Sequence, residues 1–239
     1  MTGLQLLAEG AAHWGFTLTA AQLAQFAQYQ ALLLGWNERM NLTAITAPTE
    51  IEVRHFLDAL SCAVVTGDLN GRRLIDVGTG AGFPGLPLKI LCPDMQLTLV
   101  DSIAKKTCFL EAVVAALALS GVTILAERAE TLGHHPRHRE QYDWAVARSV
   151  AELRVLVEYL LPLCRVGGAA LAQKGESAAA EVAAAAAAIA ILGGGAAQLT
   201  PVHLPQREML HFLVRIPKLH STSAAYPRRV GMPAKKPLQ

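Results

Sequence analysis

The stretch "RRLIDVGTGAGFPGLPLKIL", residues 72–91, decides the fold of this 239-residue chain. Its first apolar run favours a buried strand, and its last favours a helix. The turn between them carries Gly78, Gly80 and Gly82 in alternate positions. Glycine permits backbone conformations and close approaches that a Cβ would block, and it leaves backbone amides free to meet a polar ligand. The stretch therefore predicts a strand, a ligand-binding turn and a helix, in that order.

Strand-like and helix-like segments alternate along the chain from residue 73 onward. Predicted strands cover residues 73–77, 96–100, 122–126, 144–147 and 168–172, and predicted helices cover residues 86–91, 103–119, 151–161 and 177–192. Such alternation is typical of an α/β fold with a doubly wound, mostly parallel sheet. Two last strand-like runs, 198–204 and 209–216, are joined by residues 205–208 alone, which cannot make a parallel crossover. They predict an antiparallel pair at the sheet edge.

Composition indicates a soluble protein with a sizeable core, since 52% of the residues are hydrophobic. The most apolar stretch, residues 183–197, consists largely of alanine and glycine and is too short to span a bilayer. The N-terminus has no basic region, so we expect no signal peptide and a cytoplasmic location. The four cysteines form no C-x-x-C pair, and His134, His135 and His138 have no cysteine or carboxylate partner placed nearby, so we expect no metal site.

An acidic residue ends the second predicted strand. Asp101, followed by Ser102 in "TLVDS", falls at the carboxyl end of that strand. At this position in a doubly wound sheet, a carboxylate can accept hydrogen bonds from both ribose hydroxyls of an adenosine. The glycine turn and the acid together predict an adenosine-containing cofactor.

Two cofactors of this kind fit the glycine turn. Residues 80–85 satisfy the G-x-G-x-x-G formula of dinucleotide-binding proteins, which leaves a nicotinamide-dependent oxidoreductase open. In that register, however, Pro84 removes an amide donor where a pyrophosphate needs one. Asp76 at the strand end, followed by G-x-G-x-G, suits S-adenosylmethionine better, because this molecule has no pyrophosphate. S-adenosylmethionine is therefore the expected cofactor.

Further motifs occur in order along nearly the whole chain. They are "NLTAIT…EIEVRHFLDAL", "LIDVGTGAGFPGLPLKI", "VDSIAKKTCFLE", "RAE", "YDWAVARSVAEL", "QKG" and "YPRRVGMPAKKPL". Together they closely resemble the bacterial small-subunit ribosomal RNA guanine-N7 methyltransferases, also called the glucose-inhibited division protein B family. The resemblance implies a class I, Rossmann-like methyltransferase. Its reaction would carry a methyl group from S-adenosylmethionine to N7 of one guanine in small-subunit (16S) ribosomal RNA.

Three regions are expected in the chain. Residues 1–67 have the apolar spacing of two or three amphipathic helices and form an N-terminal extension. Residues 68–217 form the methyltransferase domain, and residues 218–239 form a basic, proline-containing loop or tail. We expect these regions to make one compact unit and the protein to be a monomer that binds small-subunit ribosomal RNA or the small ribosomal subunit.

Cofactor contacts are expected mainly at strand ends and follow in part from the resemblance. The candidates are Asp76, Gly78, Gly80, Gly82, Phe83, Asp101, Ser102, Ala129, Glu130 and Arg148. The resemblance places Ala129 and Glu130 in the adenine pocket, although Glu130 alone could equally be an acid in the first turn of a helix. Arg148 ends the apolar fourth strand, and the resemblance places it in the cofactor or reaction pocket. It is the best candidate for positioning the reacting groups.

Substrate contacts are expected from basic residues. The candidates are Arg54, His55, Lys174, Arg228, Arg229, Lys235 and Lys236. Arg54 and His55 rest on the family match, because a histidine on a helix is more often a polar neighbour than a functional group. Lys174 follows the fifth strand, where it could meet a phosphate or be a solvated loop lysine. The tail residues lie near Tyr226 and suit phosphate contact and base stacking, although a solubilising tail has the same composition.

The chemistry expected at guanine N7 asks for no general base, because N7 carries an in-plane lone pair and no proton. Positioning and electrostatics must then supply the rate. The sequence has no N/D-P-P-Y motif for an exocyclic amine and no proline-cysteine motif for pyrimidine C6, and both absences fit an N7 target. An RNA-binding or assembly factor without activity stays an alternative, which the intact Asp101, Glu130 and Arg148 disfavour.

Overall fold

A single sheet organises the molecule. The computed structural model describes residues 4–206 and 209–239, and within them seven strands form this sheet. The strands are β1 (Arg73–Val77), β2 (Gln96–Asp101), β3 (Val122–Ala126), β4 (Tyr142–Arg148), β5 (Cys164–Lys174), β6 (Gln198–Val202) and β7 (His211–Pro217). Their order across the sheet is β3-β2-β1-β4-β5-β7-β6, with β1 to β5 parallel and β7 antiparallel to both β5 and β6. The predicted mostly parallel sheet with an antiparallel edge pair is confirmed, and residues 207–208 of the last connection lie outside the described residues.

Helices surround this sheet. Before β1 come α1 (Gln5–His13), α2 (Ala20–Met40), α3 (Pro48–Ile51), a π-helical segment (Glu52–Leu57), α4 (Asp58–Leu60) and α5 (Ala63–Thr66). After it come α6 (Gly85–Leu91), α7 (Ala104–Ala116), α8 (Ala129–Leu132), α9 (Leu153–Leu160), α10 (Ala178–Ile191) and α11 (Met232–Lys235). The two or three expected N-terminal helices are α1, α2 and the continuous helix that α3, the π-helical segment and α4 form over residues 48–60. The sequence does not predict the short α5, and the expectation of a loop beyond Pro217 is wrong at α11, because such short helices leave no periodic pattern. Within the described ranges, we find no helix with the length and apolar character needed to cross a membrane.

Successive side chains of the central strands point into two different cores. Along β1, Leu74 belongs to one core and Ile75 to the other, as the period of two in a strand requires. The N-terminal helices cover the first core, where the rings of Phe26 and Phe56 lie 5.0 Å apart. Helices α9 and α10 cover the second core. The N-terminal helices are thereby packed against the sheet, next to the strand ends that carry the candidate site.

A buried carboxylate holds the glycine turn in shape. Asp76, at the end of β1, is fully buried, and its Oδ2 accepts hydrogen bonds from Thr79 Oγ1 at 2.7 Å and from the Gly85 amide at 2.8 Å. Gly78, Gly80 and Gly82 all have positive φ, which residues with a Cβ rarely adopt. The chain therefore leaves β1, turns over Asp76 and enters α6 without a longer loop.

Gly85 is a sensitive point of this turn. A Cβ on Gly85 would lie 2.7 Å from Leu99 Cδ2 and 2.9 Å from Asp76 Oδ2. Because neither neighbour can move without disturbing the core or the turn, we expect Gly85→Ala to lower the free energy of unfolding by about 1–3 kcal/mol. Gly175→Ala is the control, since a Cβ there meets no atom within 4 Å, and it should change stability by less than about 0.5 kcal/mol. Urea denaturation of both variants checks this, and equal stabilities would contradict the prediction.

Candidate active site

Two cavities lie at the carboxyl ends of the parallel strands, where a doubly wound sheet binds its ligands. The larger, of about 460 Å³, lies between the glycine turn, the π-helical segment and the end of β4. The smaller, of about 220 Å³, lies between the ends of β1 and β2, the start of α8 and the C-terminal residues. Gly78 borders both cavities. The arrangement offers two neighbouring compartments separated by the glycine turn.

The smaller cavity is lined by the candidate cofactor residues of the second and third strands. Asp101, Ser102, Ala129 and Glu130 all border it. The Asp101 carboxylate is buried and already accepts hydrogen bonds from the amides of Gly80 at 3.0 Å and Ile103 at 2.9 Å and from Lys106 Nζ at 3.3 Å. Two carboxylate oxygens offer about four acceptor sites, so one site stays free for a hydroxyl, and the long Lys106 contact is the one that a second hydroxyl would replace.

An adenosine-bearing methyl donor fits the residues present. The cavity pairs an acidic residue at the end of β2 with a second buried acid, Glu130, at the start of α8. Gly80 lies on the wall of the larger cavity, and a Cβ built on it would meet no protein atom within 4 Å. The turn therefore leaves room on its exposed side for a ligand that crosses from one cavity to the other.

Arg148 organises the larger cavity. Its Nη1 donates to Asp58 Oδ2 at 2.9 Å and to the backbone oxygen of Arg54 at 3.1 Å, and its Nη2 donates to His55 Nδ1 at 3.3 Å. The guanidinium carbon lies 4.8 Å from the centre of the Phe83 ring, close enough for a cation–π contact. Arg148 thus ties the end of β4 to the π-helical segment, and such segments are frequent at functional sites.

His55 is held neutral in this cavity. Its ring stacks on Phe83 with 4.6 Å between centroids, and its Nε2 lies 2.8 Å from Thr43 Oγ1. Burial, together with the positive charge of Arg148, lowers the pKa of His55 to about 4. Because Nδ1 accepts from Arg148, we assign the proton to Nε2, which donates to Thr43. Both ring nitrogens are therefore occupied in holding the cavity wall.

Three ionisable residues that the sequence analysis did not single out also line the larger cavity: Asp58, Lys106 and His211. Asp58 accepts from His211 Nδ1 at 3.2 Å as well as from Arg148. Burial alone would raise the pKa of Asp58, but the His211 hydrogen bond and the Arg148 charge outweigh it and hold the pKa below its ordinary value. Asp58 lies in the quoted "RHFLDAL" motif, one helical turn after Arg54. This spacing places it on the same helix face as a candidate residue and could have identified it from the sequence. His211 gave no such signal, because it reaches the cavity only through the position of β7 beside β5.

Several candidate residues lie outside the cavity walls. Asp76, beneath the glycine turn, and Gly82, within it, shape the turn without bordering either cavity. Lys174 forms an ion pair with Glu181 at 2.7 Å, and Arg228 forms one with Glu158 at 2.6 Å. Exposed candidates on the tail are Arg229, Lys235 and Lys236.

Among the basic candidates for substrate contact, Arg54 does border the larger cavity, and it pairs with Glu50 at 3.1 Å.

The histidine-rich linker after α8 makes protein contacts. His134 Nε2 lies 2.6 Å from the backbone oxygen of Pro227, and His138 Nδ1 lies 2.6 Å from the hydroxyl of Tyr142. Among the residues that the structure describes, no group of three or more His, Cys, Asp or Glu side chains is arranged to hold a metal ion.

The sheet order is that of the class I S-adenosylmethionine-dependent methyltransferases. A solved structure of this kind, a SAM dependent methyltransferase from Aquifex aeolicus, superposes with a TM-score of 0.54 at 14% identity, over 74% of this chain and 96% of that one. At that identity the likeness shows the fold alone.

Sequence comparison shows the family. The model of the GidB family, described as rRNA small subunit methyltransferase G, matches residues 22–210. Proteins named Ribosomal RNA small subunit methyltransferase G share 55% identity in Roseiflexus castenholzii (95% of this chain, 97% of that protein) and 52% in Roseiflexus sp. strain RS-1 (98% and 100%). The chain belongs to the GidB family, as its motifs predicted. The nicotinamide alternative gains no support.

The neutral state of His55 predicts a pH dependence of stability. Between about pH 7.5 and pH 5 the unfolded chain, with an ordinary histidine pKa near 6.5, binds a proton that the folded protein, with a pKa of about 4, does not bind. The folded state therefore loses stability as the pH falls, by about 2 kcal/mol at pH 5 from this group.

His55→Gln should remove that part of the pH dependence. We expect the change in unfolding free energy between the two pH values to be about 2 kcal/mol smaller in this variant than in the wild type. His220→Gln, at an exposed histidine, is the control. Urea denaturation at both pH values measures the difference, and identical pH profiles for His55→Gln and the wild type would show that His55 titrates normally in the folded protein.

Proposed function

We propose that this chain transfers the methyl group of S-adenosylmethionine to N7 of one guanine in small-subunit ribosomal RNA. The observation that carries the proposal is the pair of cavities bordered by Gly78, one acidic and one formed by Arg148 and stacked rings. Family membership supports the methyl donor and the ribosomal RNA substrate. The choice of N7 rests on the chemistry of the larger cavity.

The donor would occupy the smaller cavity and reach toward the larger one. Asp101 would accept from the ribose hydroxyls, with Ser102 beside it, and Ala129 and Glu130 would border the adenine. The glycine turn would accommodate the remainder of the molecule, with Asp76 and Gly82 acting through the shape of that turn. When bound, S-adenosylmethionine supplies a methyl group on a positively charged sulfur.

The larger cavity suits a base that needs no deprotonation. The titratable groups that contact Arg148 are engaged with other protein groups: Asp58 accepts from Arg148 and His211, and His55 uses both ring nitrogens. A general base must have a free acceptor within reach of the proton it removes. Guanine N7 has no proton to remove, so a cavity that only positions the base is sufficient. Arg148 is the positioning residue in this proposal.

Substrate RNA would approach over the exposed basic residues around the larger cavity and on the tail. Arg54 borders that cavity, and Arg229, Lys235 and Lys236 are exposed. Lys174 and Arg228 are engaged in ion pairs with Glu181 and Glu158, so we assign them supporting roles. We propose that the protein acts as a cytoplasmic monomer on RNA of the small ribosomal subunit, with residues 1–67, 68–217 and 218–239 forming one functional unit.

Methyl transfer with mapped products tests the proposal. Small ribosomal subunits from bacterial cells that lack this protein are incubated with it and with S-adenosylmethionine carrying a tritiated methyl group, and the labelled position is mapped by mass spectrometry. We expect one guanine per subunit to gain a methyl group at N7. Asp101→Asn should weaken donor binding by about 1.5–3 kcal/mol, the usual scale for a hydrogen bond to a charged group, and high donor concentration should restore much of its rate. Label on another atom, or binding without transfer as in an assembly factor, would overturn the proposal.

The exposed tail residues should contribute to RNA binding through phosphates. For single-stranded RNA the salt dependence has a slope of about −0.7 per neutralised phosphate, so replacing Arg229, Lys235 and Lys236 by alanine should reduce the log–log slope by about 2. Arg72 and Arg165 are exposed at the amino ends of β1 and β5, far along the strands from the site. Replacing these two by alanine is the control and should leave the slope unchanged. Equal slopes for both variants would show that the tail contacts no phosphate.

A further inference from the structure

The C-terminal tail, residues 218–239, is fixed to the methyltransferase domain along its length. Arg139 donates to the backbone oxygens of Thr222 at 2.6 Å and Tyr226 at 2.8 Å. The Lys218 side chain is completely buried and donates to the backbone oxygens of Leu161 at 2.8 Å and Leu192 at 3.1 Å. The first half of the tail is therefore anchored both through its backbone oxygens and through the Lys218 side chain, independently of any RNA.

A buried ion pair anchors the second half. Glu158, on α9, is completely buried, and both of its carboxylate oxygens accept hydrogen bonds from Arg228. The Arg228 amide donates to the same carboxylate at 2.7 Å. Removing one partner of a buried, hydrogen-bonded pair leaves an uncompensated charge, so the bound position of Arg228 is strongly favoured over solvent. The next residue along α9, Tyr159, borders the smaller cavity.

Beyond this anchor the tail reaches the smaller cavity itself. The Gly231 amide donates to Glu130 Oε1 at 2.9 Å. Gly231 has a φ of 77°, and this left-handed turn leads directly into α11. Ala234, in α11, is one of the residues that line the cavity together with Asp101 and Ala129. The tail thus contributes a wall of the cavity and a hydrogen bond to one of its acidic residues.

We infer that the C-terminal tail is part of the methyl-donor site, with Gly231 and Ala234 completing the adenosine cavity and the Arg228–Glu158 pair holding them there. The inference rests on the placement of the donor in the smaller cavity proposed above. A ligand that contacts only the docked arrangement of the tail stabilises that arrangement, and by reciprocity the docked tail raises the affinity for the ligand. Two adjacent arginines therefore have different roles: Arg228 serves the donor site, and Arg229 faces outward.

Binding of S-adenosylmethionine in the absence of RNA tests this inference by isothermal titration calorimetry on the full chain. Ala234→Trp places a bulky side chain at an exposed position on the cavity wall and should weaken donor binding about tenfold or more, without unfolding the protein. Arg228→Gln combined with Glu158→Gln removes the anchor without leaving a buried charge, and it should also weaken binding. Arg229→Ala, the matched control at the neighbouring residue, should bind within about twofold of the wild type.

Hydrogen exchange gives a second readout. If the tail had only a structural role, its amide exchange rates would not respond to S-adenosylmethionine. Addition of S-adenosylmethionine should slow exchange of the Gly231 amide and of α11 in the wild type. The inference would be overturned if Ala234→Trp and the Arg228–Glu158 double variant bound S-adenosylmethionine with wild-type affinity. It would also be overturned if the exchange rates of the tail amides were the same with and without the donor. The variant Asp101→Asn distinguishes the role of the tail from the placement of the donor in the smaller cavity. Normal donor affinity in Asp101→Asn would refute the placement. Weakened donor binding in Asp101→Asn but in neither tail variant would refute only the role of the tail.

Discussion

The buried carboxylate of Asp76 is the contact on which the site depends. By accepting from Thr79 and from the first amide of α6, it fixes the angle at which the chain leaves β1 and re-enters the helix. Burial raises the pKa of Asp76 to about 6, although the hydrogen bonds from Thr79 and Gly85 oppose that effect. Burying this carboxyl group is therefore unfavourable in free energy, because the group loses its contact with water. The glycine turn that this carboxylate holds separates the two cavities, and its open side lies at Gly80.

A second network explains why the N-terminal helices belong to the site. Arg148 leaves the end of β4 and binds the π-helical segment through His55 and the backbone of Arg54, and the start of α4 through Asp58. Burial, together with the charge of Arg148, keeps His55 neutral, and the same charge helps to keep Asp58 ionised. Groups that commonly act as acids or bases are thus used to hold one another. Such a cavity is suited to orienting a nucleophile that already carries a free lone pair.

Charge counting and geometry lead to different conclusions about the tail. By composition, the basic residues after Pro217 all suit RNA phosphates. In the fold, Lys218 and Arg228 point into the protein and hold the tail, whereas Arg229, Lys235 and Lys236 stay exposed. A single segment can therefore complete a small-molecule cavity on one side and offer positive charge on the other. The tail links the two ligands of the proposed reaction.

The sequence by itself determined the α/β class, the strand ends that carry Gly78, Asp101 and Arg148, and the antiparallel edge. These features follow from local patterns, since residue periodicity, glycine conformation and the position of an acid after a strand need only neighbours in the chain. Only the tertiary structure decided that Asp58 meets His211 and that Arg228 meets Glu158. Each of those contacts joins residues far apart in the sequence and depends on which elements become neighbours, such as β7 lying between β5 and β6. The side-chain type of a lysine or arginine is the same whether it faces a phosphate or a buried carboxylate, and packing alone selects between them.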